Sequence, residues 1–221
     1  MNTVAVSRVR YSSGALEALK YLALASMVAD HVNKALFDSA LTWLVPFGRL
    51  AFPIFACLVG YNLARPSADY AKILRRLLVV AAIATPFHPV IMGGAWLPLN
   101  VLTTFAVAVL IAWAIDARQY PVAIAMGLFL PAFVDYQWSG VTLVLYAWRY
   151  AGNGTWPAAV GLLVSLAGVS LLVGNAWSFA ALPVLLLAQY YAPAVPRLRW
   201  LFWAFYPAHL AVLYFSARLV G

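Results

Sequence analysis

The stretch Ala25–Leu36, ASMVADHVNKAL, sets Asp30, His31 and Lys34 near one end of an otherwise largely apolar run from Leu16 to Phe37. An ionised side chain inside a bilayer costs about 2.5–3.5 kcal/mol on insertion scales, so such groups face a bundle interior or a wet cavity. Asp30 and Lys34 stand four apart and share a helix face, with His31 and Asn33 flanking them. The cluster therefore needs partners from distant parts of the chain.

Around it the chain is 66% hydrophobic and 9% charged, with a mean hydropathy of +0.90. A soluble domain is about 45–50% apolar and about 25% charged. The reading is an all-α, polytopic membrane helix bundle forming one integral membrane domain over residues 1–221. The 14 Lys and Arg against 6 Asp and Glu would point to nucleic acid in a soluble protein. In a membrane protein such residues set orientation, and no nucleic-acid partner is expected. Cys57, the lone cysteine, reads as a small buried hydrophobe. Residues 1–15 are polar and basic, and the apolar run after them is too long for the h-region of a cleaved signal. They read as a cytoplasmic tail before a first span that stays.

Eight to nine transmembrane or partly spanning helices are expected, at approximately 16–37, 47–64, 71–91, 97–115, 120–134, 139–151, 156–173, 177–191 and 199–219. The fifth and sixth are short and read as half-spans meeting at the polar link Asp135–Gly140. Arg8, Arg10, Lys20, Arg65, Lys72, Arg75, Arg76, Arg118, Arg149, Arg197 and Arg199 then fall on one side, while links 38–46, 92–96 and 174–176 carry no Lys or Arg. The positive-inside rule puts the N-terminus in the cytoplasm. Asp30, His31, Lys34, Arg49, His88, Asn100 and Asp135 then share the outer side, as a site built from several helices requires.

His31 has the ordinary pKa of a general base, about 6.5, and Asp30 is expected to orient it as in a hydrolase triad. The alternative is an interfacial Asp30–Lys34 pair with His31 among headgroups. Arg49 can bind a carboxylate or a developing oxyanion, snorkel to headgroups, or pair with Asp30. Lys72, Arg75 and Arg76 read as inner-leaflet anchors. His88, between two prolines, and His209, deep in the last span, each fit either a site or a satisfied core. No metal site is expected: there is no HxxxH or ExxH spacing. A phosphate loop and a nucleophile elbow are also absent from the sequence.

The segments SGALEALKYLALASMVADHVNKALF and GRLAFPIFACLVGYNLARP, the Asn100 region, the Asp135-Tyr136 link and Tyr206-Pro207-Ala208-His209-Leu210 together resemble the TraX family. Within it the chain looks like the TrbP branch of IncP-type conjugation systems. The resemblance implies a bacterial inner-membrane enzyme of conjugation, encoded with a type IV secretion apparatus. Its implied substrate is the pilin subunit, modified at the N-terminus by acetylation, with acetyl-CoA as donor. Carried over by position are Asp30, His31, Arg49 and His209 as catalytic residues. Asn100, Asp135, Lys34, Tyr136 and His88 are expected to bind substrate. In the TrbP branch pilin ends are joined, so a head-to-tail cyclase needing no cofactor is the alternative, and a non-catalytic pilin chaperone is the second. Both reactions are attack of an amine on an acyl carbon. The assignment is His31 as base, Asp30 as its orienter, and Arg49 with Asn100 as carbonyl or carboxylate binders. Membrane lipids and secretion components are the remaining expected partners.

Overall fold

The structure, a computed structural model, describes residues 9–198 and 201–220, with side chains masked at 201, 202 and 220. Arg8, Arg199 and most of the expected tail lie outside the described residues. Among the described residues nine helical rods follow in order: α1 (Ser13–Phe37), α2 (Thr42–Leu63), α3 (Tyr70–Ile91), α4 (Val101–Asp116), α5 (Tyr120–Phe133), α6 (Gln137–Asn153), α7 (Trp156–Leu172), α8 (Trp177–Leu187) and α9 (Leu201–Val220).

Local chemistry explains the breaks. The Ser12 side chain accepts from Ala15 N at 3.0 Å and opens α1. At its other end Asp38 takes a left-handed conformation, and Asn33 holds the following turn through Leu41 N and Leu41 O at 2.9 and 3.1 Å. Asp69 caps α3 and Asn100 caps α4 by accepting backbone N–H groups. Gly154, at φ +60°, closes α6.

Six of the described rods are apolar: α2 and α3 at full length, and α4, α5, α7 and α8 as shorter helices. α2 and α3, 22 residues each, are long and apolar enough to cross a hydrocarbon core. Leu78, Val79, Ile83, Ile124, Leu163 and Val212 face outward and exposed, which lipid accommodates and water does not. Trp43, Trp96 and Trp177 stand exposed at one end of the bundle and Tyr120, Trp156 and Tyr190 at the other, as interfacial belts do. α6 runs the full Gln137–Asn153 and packs on α2 and α7, so it is no half-span. The short rod is α8.

Six helices close a ring in the order α1, α2, α6, α4, α3, α9 and back to α1, with α5 on α4, α7 on α6 and α8 on α2. The main core lies between α2, α4 and α6 around Phe52, Phe105, Val109, Leu143 and Trp148. Close approach replaces a hydrophobic driving force between these helices. Gly60 of α2 sits where a Cβ would stand 2.6 Å from Trp148 N. Ser165 of α7 donates to Thr142 Oγ1 of α6 at 2.9 Å.

Candidate functional site

Five of the ring helices and the turn leading into α6 meet at a crevice of about 40 Å³. Its wall includes Asp30 and His31 of α1, Phe52 of α2, Ile91 of α3, Val101 of α4 and Tyr206 of α9, with Asp135 and Tyr136 at the start of α6. A second cavity, of about 380 Å³, opens at the opposite ends of α2, α3, α4 and α6, beside Arg65, Asp116 and Arg149.

One side of the crevice is ionic. Ser26 Oγ donates to Phe47 O and Gly48 O at 2.6 and 3.1 Å, tying α1 to α2. One turn further on, a Cβ on Gly48 would stand 2.9 Å from Asp30 Cβ, so only glycine lets α2 pass this close. That approach brings Arg49 Nη1 within 3.1 Å of Asp30 Oδ1 while Lys34 Nζ holds Oδ2 at 2.6 Å. Both Asp30 oxygens are therefore taken. Arg49 Nε is buried without a hydrogen-bond partner.

The expected Asp30–His31 couple is not formed. Neighbouring helix positions point about 100° apart, and His31 turns to α9. Its Nδ1 lies 2.8 Å from His209 Nε2, and His209 Nδ1 lies 3.0 Å from Phe205 O. A carbonyl can only accept, so His209 Nδ1 carries a proton. With both rings neutral, His209 Nε2 must then accept, and His31 Nδ1 donates to it. That leaves His31 Nε2 as the bare lone pair, on a residue that lines the crevice. His209 does the orienting that Asp30 was expected to do.

Asp135 is set opposite by a bridge, Leu99 N to Phe133 O and Asp135 N to Leu99 O, both 2.8 Å. Thr104 Oγ1 donates to the Asp135 carbonyl at 2.6 Å. Burial pushes the Asp135 carboxyl up to about 6; Lys34 and the Tyr136 N–H oppose the rise. Tyr136, at φ +58°, stacks on Phe52 with centroids 3.7 Å apart.

Two expected binders lie elsewhere. Asn100 is fully buried and spent: it donates to Ala81 O and Thr85 Oγ1 and accepts from Leu102 N. It is a helix cap joining α4 to α3. His88 is 2% exposed, faces Pro98 O at 3.3 Å and does not line the crevice. Arg49 and a third expected binder, Lys34, brace Asp30, and neither lines the crevice. Tyr206 went unassigned in the sequence, although it precedes His209 by three and so shares its helix face.

A buried imidazole paired with a half-buried one and a charge triad, inside a ring of lipid-facing helices, define a polytopic helical membrane protein with a polar crevice at one end of the bundle. A family model described as TraX protein matches residues 15–216, and the chain belongs to the TraX family. It is similar to Protein TraX of Escherichia coli, 29% identical over 218 residues that cover 92% of this chain and 87% of the relative. Protein TraX of Escherichia coli strain K12 matches with the same identity and coverage. No solved structure matches the chain.

Proposed function

We propose that this chain is an inner-membrane enzyme of conjugation that modifies a pilin subunit at its α-amine by acyl transfer. The observation that carries the reading is the relay from Phe205 O through His209 to His31, which leaves His31 Nε2 free to take a proton. The amine nitrogen attacks the acyl carbon, the new C–N bond forms, and the bond to the donor's leaving group breaks. His31 takes the proton from the amine and returns it to the leaving group. Asp135, ionised, draws the ammonium to the crevice, and Tyr136 and Tyr206 bring phenols to its wall. Asp30 with Arg49 and Lys34 holds α1 and α2 in register. A crevice of about 40 Å³ has room for a water or two, so a peptide terminus enters only when the ring helices part.

Nine basic residues of the described chain crowd the opposite end, Arg10, Lys20, Arg65, Lys72, Arg75, Arg76, Arg118, Arg149 and Arg197, against Lys34, Arg49 and Arg218 at the crevice end. The positive-inside rule makes that end cytoplasmic and the His31 crevice periplasmic. Signal cleavage exposes a pilin amine on that same side. No Lys or Arg is among the described residues that line the crevice to meet the phosphates of acetyl-CoA.

This sidedness favours a second reading, a head-to-tail cyclase whose acyl donor is the pilin's own carboxyl end. No Ser, Thr or Cys is among the described residues that line the crevice, so direct attack by the amine is the step these side chains support. The intact mass of pilin from cells with and without this chain separates the readings. A gain of one acetyl group supports acetylation. Loss of one water, or of a tail with closure, supports cyclisation. An unchanged mass with less pilin sinks both and leaves a chaperone.

A further inference from the structure

The first turns of α3 carry an electrostatic conflict. Lys72, Arg75 and Arg76 are exposed within the first two turns, and none forms an ion pair among the described residues. A helix N-terminus is the positive end of the macrodipole, so cations there are unfavourable by themselves. The nearby acid, Asp69, is the N-cap and its carboxylate accepts from Lys72 N at 2.9 Å. Three cations at a positive helix end call for an anion from outside the chain.

The same face names its chemistry. Lys72, Arg76, Val79 and Ile83 succeed one another at helical spacing, and Val79 and Ile83 are each 54% exposed. From Lys72 to Ile83 the face rises about 16 Å at 1.5 Å per residue, half of a hydrocarbon core about 30 Å thick. Cationic at the foot and apolar over one leaflet, it matches a single acyl chain below a negative headgroup. Trp203 of α9 borders it, with the Arg76 guanidinium 5.7 Å from its ring centroid. An acidic soluble partner would match the foot and leave the apolar stripe unexplained.

We infer that the outward face of α3, bordered by Trp203, is a binding site for an anionic phospholipid. The site stands apart from the His31 crevice and does not depend on its chemistry. The test uses the full chain reconstituted in vesicles of equal parts phosphatidylcholine and phosphatidylglycerol, then released from them for native mass spectrometry. Retained lipid is expected to be phosphatidylglycerol in excess of its share, with about fivefold of that preference lost per cation removed in Lys72→Gln, Arg75→Gln and Arg76→Gln. A control triple, Arg65→Gln, Arg118→Gln and Arg149→Gln, removes the same charge at the same end and is expected to keep the enrichment. No enrichment in the unaltered chain, enrichment that survives the α3 substitutions, or equal loss in the control overturns the site. Binding of an acidic peptide in place of lipid overturns it too.

Discussion

His209→Ala removes the acceptor that fixes His31 without touching the crevice wall. The Nδ1 to Nε2 distance of 2.8 Å is that of a full hydrogen bond, and His31 is 9% exposed. Leaving a buried N–H unpaired costs about 1–3 kcal/mol. Since about 1.4 kcal/mol is a factor of ten in rate, loss of the fixed tautomer and ring orientation lowers turnover about ten- to hundredfold. KM for pilin is expected to hold, because His209 does not line the crevice. His209→Gln places an amide oxygen within reach of His31 Nδ1 and restores part of the rate. The assay is the initial rate of pilin mass conversion by the purified chain in vesicles. Wild-type turnover in His209→Ala, or a loss confined to KM, refutes the relay.

Gly60→Val presses a side chain into Trp148 N and Ala147 Cβ, 2.6 and 2.7 Å from the added Cβ. It is expected to cost about 1–3 kcal/mol, seen as a lower Tm in detergent. Asn100→Ala strips the α4 cap for about 1 kcal/mol and two donations to α3, lowering Tm while turnover per folded molecule is unchanged. Asp135 is neutral below its pKa of about 6 and charged above it, so pilin modification is expected to climb as pH rises through about 6. Asp135→Asn flattens that limb of the pH profile; a limb that persists removes Asp135 from the site.

The helix framework was legible because lipid-facing helices need long apolar runs, and Pro, Gly and capping residues mark their ends. Tyr120–Phe133 and Trp156–Leu172 fall within a residue of the runs expected at 120–134 and 156–173. α6 was read too short because Gln137 and Asn153 look like link residues, although the first opens a helix and the second ends it. Of the site, the Asp30–Lys34 pair followed from spacing alone, and the Asp30–Arg49 pair was one alternative. The His31–His209 contact spans 178 positions, and no local periodicity encodes a contact that only the α1–α9 packing creates. Asn100 misled for a physical reason: a polar residue at a helix start serves equally as a ligand or as a cap, and only its partners tell which.

The most direct measurement is the intact mass of pilin from cells carrying His31→Ala, with membrane levels of the variant matched to wild type. A free Nε2 at the crevice as the acting base predicts pilin at its unmodified mass. Pilin that still carries the full mass change would contradict it.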